Sequence, residues 1–267
     1  MCIAIYKQIN HNISDRRLAE AHRANPDGCG LMWAADGEIH VIKGCFDFEL
    51  FMSLFRKAYQ EFGDRNYIIH FRTASASAIG DEFCHPFKVN GDLWFVQNGN
   101  LYEYTDYYGR GRNDGKSDIQ RFNDEILRRL PAGFLGKSRT RAIFEQYANE
   151  NLSKFVFLDT LGRVCIINEE AGEWQDGIWY SNGGIDNYVG YGYSGAYYYN
   201  PGDIRHKGGL MSVQMLGENR KYWNQCPSCL GWYRDLDGMC GGCQTLVELR
   251  EYTGDLIRPW ILKEPIK

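Results

Sequence analysis

The spacing of apolar residues along the chain predicts a protein that combines strands and helices. The clearest period lies over residues 48–62, where apolar positions recur every three or four residues and predict a helix with one buried face. Further helices are predicted after Ser14 through residue 23, around apolar positions 119–130, and over residues 142–148. Short apolar runs predict strands at residues 2–6, 67–71, 93–96, 155–158 and 163–167.

An Asp-Gly pair predicts a hairpin early in the chain. Asp36-Gly37 separates the apolar segments 30–33 and 38–42, and this pair between two strands is the usual signal of a tight turn. The order of strands, helices and strands again, with hairpins and no regular strand-helix alternation, favours a mixed or antiparallel sheet over a doubly wound parallel one. The expected fold class is therefore α+β.

The glycine content divides the chain. Residues 181–211 contain eight glycines and six tyrosines with little apolar periodicity, which is typical of a boundary or a long surface loop. We therefore expect a main domain over residues 2–180, a connecting segment over 181–220, a small cysteine-bearing module over 221–250 and a tail over 251–267.

Charge and composition favour a small-molecule substrate. The net charge of −4 and the pI of about 5.9 give no basic excess that would attract DNA, RNA or an anionic membrane. No secretory signal and no run long enough to span a membrane is found in the sequence, so a cytoplasmic protein is expected. The nine cysteines are an odd number, and four of them are clustered, which favours a reducing compartment.

The second residue is a candidate nucleophile. Excision of Met1 would leave Cys2 with a thiol and a free α-amine on one residue. The amine, with a reference pKa of about 7.7 to 8.0, can accept the proton of a thiol whose reference pKa is about 8.5. The alternative is a cysteine that merely begins a buried strand.

Several short segments occur in the same order as in a known family. Together with Met1-Cys2, the ordered set resembles the class II glutamine amidotransferases, which are N-terminal-nucleophile (Ntn) hydrolases, over roughly residues 2 to 180. The resemblance implies a four-layer αββα sandwich. The segments that carry it are Asn25-Pro26-Asp27-Gly28, Ile69-His70-Phe71-Arg72-Thr73-Ala74-Ser75, Cys84-His85-Pro86-Phe87, Val96-Gln97-Asn98-Gly99-Asn100 and Ser117-Asp118.

The resemblance also implies catalytic roles. Cys2 would attack the side-chain amide of glutamine, while the Asn98 side-chain amide and the Gly99 backbone N–H would form the oxyanion hole. Two fixed donors suit the tetrahedral oxyanion of amide cleavage. For Asn98-Gly99 the alternative is a type I′ hairpin turn.

Substrate-binding roles are implied for four further residues. Arg72 would bind the α-carboxylate of glutamine and Asp118 its α-amino group, while Ser75 and His85 would line the site. The alternatives are a snorkelling strand residue for Arg72, a first-turn helix acid for Asp118 and a turn cap for His85. The chain departs from the family pattern at Ile3, where Gly is common, and at Ala76, where His is common.

The C-terminal cysteines have the spacing of a structural metal site. Two Cys-x-x-Cys pairs separated by ten residues resemble a zinc ribbon, in which four thiolates complete a tetrahedral Zn²⁺ shell. Redox-active pairs or disulfides are the alternatives. Residues 219–267 hold seven Lys or Arg against six Asp or Glu, so partner docking or domain bracing is expected and nucleic-acid binding is not. The predicted ligands are Cys226, Cys229, Cys240 and Cys243, and the other cysteines, Cys29, Cys45, Cys84 and Cys165, are expected to be buried.

The expected function is hydrolysis of L-glutamine through a γ-glutamyl thioester on Cys2. Either a separate synthase accepts the ammonia, or glutaminase activity is itself the function. Two alternatives stay open. One is an amidase that acts on another γ-glutamyl compound, and the other is a non-catalytic binding or regulatory protein with the ribbon as its docking surface.

Overall fold

The computed structural model describes residues 2–74, 79–104, 114–183, 224–225, 232–233 and 249. The first half of the main domain contains β1 (Ile3–Lys7), α1 (Asp15–Ala24), β2 (Cys29–Ala35), β3 (Glu38–Cys45), α2 (Phe48–Phe62) and β4 (Tyr67–Phe71). The second half contains β5 (Phe87–Lys88), β6 (Leu93–Asn98), α3 (Asp118–Glu125), α4 (Ser138–Glu150), β7 (Lys154–Asp159), β8 (Val164–Ile167), β9 (Glu173–Gln175) and β10 (Ile178–Tyr180).

The strands form two antiparallel sheets. One has six strands in the order β3-β2-β4-β1-β10-β9, and the other has four in the order β5-β6-β7-β8. Every described pairing in both sheets is antiparallel. The predicted α+β class with antiparallel sheets is confirmed.

Three clusters of buried residues separate four layers. Because strand side chains alternate between faces, Ile3 and Ile5 pack against α1 and α2, whereas Ala4 and Tyr6 face the other sheet. The cluster between the sheets also contains Val156 of β7. The third cluster joins the four-stranded sheet to α3 and α4. The described residues therefore have the layer order α, β, β, α.

Local signals in the sequence set the ends of the first elements. Asp47 caps α2, and its side chain accepts a hydrogen bond from the Leu50 backbone N–H at 2.7 Å. Asp36 and Gly37 take positive φ values of 53° and 78° and connect β2 to β3 as predicted. The predicted boundaries of α2 and β4 agree with the structure.

The helix predicted around residues 119–130 is shorter than expected. α3 ends at Glu125 because Ile126 leaves the helical conformation, and a 3₁₀ turn at Leu127–Arg129 follows. Leu127 and Leu130 are nevertheless buried in the same cluster as Ile119 and Phe122 of α3. The apolar pattern therefore predicted the buried positions correctly but predicted too long a helix.

The sequence analysis did not predict the β9-β10 hairpin. Its turn is a second Asp-Gly pair, Asp176-Gly177, with φ values of 48° and 74°. β10 pairs with β1, so the N-terminal strand has a hydrogen-bonded neighbour on each edge, β4 on one and β10 on the other.

Most of the C-terminal module lies outside the described residues. Two short strands that flank the first cysteine pair in sequence, β11 (Asn224–Gln225) and β12 (Trp232–Tyr233), pair antiparallel. Leu249 is fully buried in the cluster beneath α3 and α4. In the described part of the chain, no helix has the length and apolarity needed to cross a membrane.

Candidate active site

Cys2 lies at the start of an inner strand of the six-stranded sheet. It directly precedes β1, which pairs with β4 on one side and β10 on the other. The register Ile3↔Phe71 brings Cys2 next to the residues that follow β4. There the Thr73 backbone N–H donates to Cys2 Sγ at 3.3 Å, and Sγ lies 3.4 Å from the Thr73 carbonyl oxygen. The thiol is therefore held in place by the backbone of Thr73.

The surroundings of Cys2 keep its thiol protonated at rest. Burial raises the pKa of the Cys2 thiol, and the Asp118 carboxylate raises it further. The Thr73 backbone hydrogen bond and the Arg72 guanidinium act in the opposite direction. Because burial is the largest effect, the thiol needs a base before it can act as a nucleophile.

The 25–28 segment shapes the chain beside the thiol. Asp27 N–H donates to the Arg72 carbonyl at 2.8 Å, and Arg72 N–H donates to the Gly28 carbonyl at 2.8 Å. The Asp27 carboxylate also accepts from the Ala74 N–H at 2.8 Å. These bonds extend the pairing beyond β4 and fix the direction of the chain after Arg72.

Asn25 completes this support. Its side-chain oxygen accepts from the Thr73 hydroxyl at 2.8 Å, and its side-chain nitrogen donates to the Ala21 carbonyl at 3.0 Å. Asn25 thus connects the end of α1 to the residue that contacts Cys2 Sγ. From the sequence, the 25–28 segment was known only as one of the motifs that resemble a known family. The structure shows that Asn25, Asp27 and Gly28 hold residues 72–74 beside Cys2.

Arg72 is a buried cation. Its side chain is 5% exposed, and the guanidinium lies 5.8 Å from the centre of the Phe83 ring. The snorkelling alternative is therefore wrong, because a snorkelling arginine keeps its charged group in water. The guanidinium is close enough to Cys2 to influence the pKa of the thiol.

Asn98 ends β6 and faces the space between the sheets. It shares a face of β6 with Val96, which belongs to the inter-sheet cluster. Its side-chain nitrogen lies 2.8 Å from Ser181 Oγ, and its buried oxygen has no hydrogen-bond partner among the described residues. Ser181 Oγ also accepts from the Ala4 N–H at 2.9 Å, two residues after Cys2.

Gly99 is not part of a hairpin turn. The strand that pairs with Asn98 is β7, which starts at Lys154, so the type I′ alternative is wrong. Gly99 has φ of 134°, and a Cβ atom there would lie 2.4 Å from Ser153 Oγ. Both the conformation and the space require glycine at this position.

Asp118 is both a first-turn helix residue and a neighbour of the site. It is the first residue of α3, after the Ser117 cap, and its two carboxylate oxygens accept from the Ile119 and Leu101 N–H groups at 2.9 and 2.8 Å. Burial raises the pKa of Asp118, and the backbone hydrogen bonds oppose that effect. The helix interpretation is correct, and the Asp118 carboxylate is also close enough to Cys2 to raise the pKa of its thiol.

His85 is buried beside a second histidine. Its ring centre lies 4.2 Å from that of His70, and neither ring nitrogen of His85 has a hydrogen-bond partner among the described residues. The turn-cap alternative is therefore wrong, since a cap needs a hydrogen bond. Burial, followed by electrostatic repulsion from His70, Lys43 and Arg72, lowers the pKa of His85 well below its usual value, so the buried ring is neutral.

The remaining predicted residues divide into two groups. Ser75 and the four predicted zinc ligands, Cys226, Cys229, Cys240 and Cys243, lie outside the described residues. Within the described ranges, no group of three or more His, Cys, Asp or Glu side chains could hold a metal ion. Cys29, Cys45 and Cys84 are buried as predicted, whereas Cys165 is partly exposed. Burial raises the pKa of Cys29 to about 12, which suits a packing role.

Two residues near Cys2 were not identified from the sequence. Ser181 contacts Asn98 and Ala4, and the Asn182 side chain donates to the Cys2 carbonyl at 2.9 Å. Both were placed at the start of the connecting segment because glycines and tyrosines dominate the residues that follow. The signal that could have found them is the apolar run Ile178-Trp179-Tyr180, which ends in two polar residues.

Two solved structures are similar to parts of this chain. The glutamine aminotransferase class-II domain protein of Silicibacter pomeroyi is 15% identical, with a TM-score of 0.31 over 60% of this chain and 73% of that one. The glutamine phosphoribosylpyrophosphate amidotransferase of B. subtilis, solved with ADP and GMP, is 18% identical, with a TM-score of 0.39 over 67% of this chain and 41% of that one. No family model matches the sequence, and no curated protein matches it.

Proposed function

We propose that this protein is a class II glutamine amidotransferase of the Ntn type, which hydrolyses the side-chain amide of L-glutamine to glutamate and ammonia. One observation carries the proposal. The Cys2 thiol lies at the end of the inter-sheet layer, held by Thr73, with a buried guanidinium and a carboxylate both close enough to affect its pKa. A nucleophile, a cation and an anion together suit a substrate that has an amide and a charged group of each sign.

The first half-reaction forms a thioester. Once Met1 is removed, the α-amine of Cys2, a group whose reference pKa is about 8, takes the proton from the thiol. The sulfur attacks the amide carbon of glutamine, and the C=O electron pair moves onto oxygen. When that pair returns, the C–N bond breaks, and the nitrogen takes the proton from the α-ammonium group and leaves as ammonia.

The second half-reaction restores the enzyme. Water gives a proton to the α-amine and adds to the thioester carbon, and a second tetrahedral oxyanion forms. Its collapse breaks the C–S bond, releases glutamate and returns the proton to sulfur. Asn98 and Gly99 would donate hydrogen bonds to both oxyanions, and such donors typically contribute a few kcal/mol each.

Arg72 and Asp118 would select free glutamine. The planar guanidinium suits the α-carboxylate, and the Asp118 carboxylate suits the α-ammonium group. The Asp118 carboxylate accepts backbone hydrogen bonds from Leu101 and Ile119, and because a carboxylate has about four acceptor sites it would also accept from the substrate ammonium group. A γ-glutamyl peptide keeps the same two charged groups, whereas glutamine within a polypeptide lacks both. The ammonia would pass to a separate synthase, and the predicted zinc ribbon would dock that partner or brace the domain.

Intact-mass spectrometry with a diazoketone analogue of glutamine tests the proposal. We expect one adduct, localised to Cys2, on a chain that lacks Met1. The Cys2→Ala variant should give no adduct and no ammonia from glutamine, whereas the control Cys165→Ala, which removes a partly exposed thiol on the other sheet, should behave like the natural protein.

Steady-state turnover distinguishes the remaining activities. Release of ammonia from free glutamine supports the proposal. Hydrolysis of other γ-glutamyl amides without turnover of glutamine would identify a different amidase, and an unmodified Cys2 in a protein that retains Met1 would contradict catalysis by this residue.

A further inference from the structure

The hydrogen bonds around Ser181 leave one buried group without a partner. As the atoms lie, Ser181 Oγ accepts from two donors, the Ala4 N–H at 2.9 Å and the Asn98 side-chain nitrogen at 2.8 Å. The Asn98 oxygen is then buried with no partner among the described residues, although Asn98 is only 2% exposed. A buried acceptor without a hydrogen bond is unfavourable, because nothing replaces the hydrogen bond to water that it loses on burial.

Rotating the Asn98 amide by 180° gives the Ala4 N–H, the Ser181 hydroxyl and the Asn98 oxygen a partner each, and the group without a partner among the described residues is then the Asn98 NH₂. The rotation exchanges nitrogen and oxygen without moving any other atom. Ser181 Oγ then accepts from the Ala4 N–H and donates its own hydrogen to the Asn98 oxygen. The Asn98 NH₂ group turns away from Ser181, into the position that the unpartnered oxygen occupies in the unrotated amide.

The rotation also decides whether Asn98 can stabilise an oxyanion. With the oxygen directed away from Ser181, the free end of the amide is an acceptor, which repels negative charge. With the NH₂ group in that position, the free end offers hydrogen-bond donors.

We propose that Ser181 is a positioning residue, whose hydroxyl donates to the Asn98 side-chain oxygen and thereby directs the Asn98 NH₂ group toward the oxyanion. This inference rests on the function proposed above. Ser181 is well placed for the role because its N–H also donates to the Ala4 carbonyl at 2.9 Å, so two hydrogen bonds fix it to the strand that carries Cys2. Ser181 is fully buried, so water does not compete for its hydroxyl.

Kinetics of Ser181→Ala test the proposal. Without the hydroxyl, the Asn98 amide loses its preferred orientation, and we expect kcat for glutamine to fall by roughly 10- to 100-fold with KM changed by less than about twofold. Alkylation of Cys2 by iodoacetamide, which passes through no oxyanion, should keep its rate within about twofold. A general structural disturbance would slow both reactions.

Two further variants sharpen the test. Because Ser181 acts through Asn98, adding Ser181→Ala to Asn98→Ala should lower kcat no further than Asn98→Ala alone. Ser14→Ala is the matched control, since it also removes a serine hydroxyl that accepts from a backbone N–H, at the start of α1. It should leave kcat unchanged.

Neutron diffraction on the natural protein tests the orientation of the Asn98 amide directly. It needs neither an activity assay nor a variant, which could fail to fold. A deuterium on Ser181 Oγ directed at the Asn98 oxygen supports the proposal. The Asn98 nitrogen facing Ser181, an unchanged kcat in Ser181→Ala, or a further loss in the double variant would overturn it. If the natural protein fails to hydrolyse glutamine, the proposed function is wrong, and the neutron map still decides which group Ser181 donates to.

Discussion

Acidification should destabilise the fold through two histidines between the sheets. His70 and His85 are 1% and 5% exposed, and their ring centres are 4.2 Å apart. Burial lowers the pKa of His70 to about 3, although the hydrogen bond that its ring donates to the Gln97 carbonyl opposes this shift. Burial also lowers the pKa of His85 well below its usual value. Both rings therefore stay neutral in the folded protein at pH values where an unfolded histidine becomes charged.

The size of the effect follows from proton binding. An unfolded histidine has a pKa of about 6.5, so below that pH the unfolded state binds a proton that the folded state does not. The stabilisation is fully present above about pH 6.5 and is lost as the pH falls, by about 1.4 kcal/mol per pH unit for each histidine. Between about pH 6.5 and 5, the two histidines together should remove about 4 kcal/mol from a typical total of about 5 to 15.

Urea denaturation at about pH 7, 6 and 5 measures this loss. The comparison is between the natural protein and His70→Gln, His85→Gln and the double variant, because glutamine is polar and does not titrate. The double variant should lose about 4 kcal/mol less than the natural protein between pH 7 and 5. An equal loss in both proteins would refute the assignment of neutral, buried rings.

Two further predictions concern a close backbone contact and the C-terminal module. Gly30→Ala should lower the free energy of unfolding by about 3 kcal/mol or more, because its Cβ would lie 1.8 Å from the His85 carbonyl oxygen. In the same denaturation assay the control Gly91→Ala should have little effect, because a Cβ there meets no atom within 4 Å. Metal analysis should find about one zinc per chain, lost in Cys226→Ser and retained in Cys165→Ser, and a folded module free of metal would contradict the ribbon.

Sequence patterns predicted local elements well where the signal was local. The helix at Phe48–Phe62 has a regular apolar period and an aspartate cap, and the first hairpin has its Asp-Gly turn. Prediction failed where the local signal was short or competed with another. β10 has only three residues, and α3 stops at Glu125 although its apolar period continues.

The site shows the same division. Cys2, Arg72, Asn98, Gly99 and Asp118 were selected because their ordered motifs resemble a known family, and in the structure the Arg72 guanidinium and the Asp118 carboxylate are close enough to Cys2 to affect the pKa of its thiol. The alternatives for Arg72 and Gly99 could be excluded only from three-dimensional facts, namely burial of the guanidinium and the distance in sequence between β6 and β7. The neutral state of the His85 ring likewise followed only from its burial.

By itself, the sequence determined the α+β class and most element positions, because periodicity acts over a few neighbouring positions, and the candidate site residues came from the resemblance of its ordered motifs to a known family. Only the tertiary structure decided which side chains meet. Ser181 lies 177 residues from Ala4 along the chain, and Asn182 lies 180 residues from Cys2, yet both bond to the N-terminal strand. Antiparallel pairing of β10 with β1 creates these contacts, and no local pattern encodes a partner at that separation.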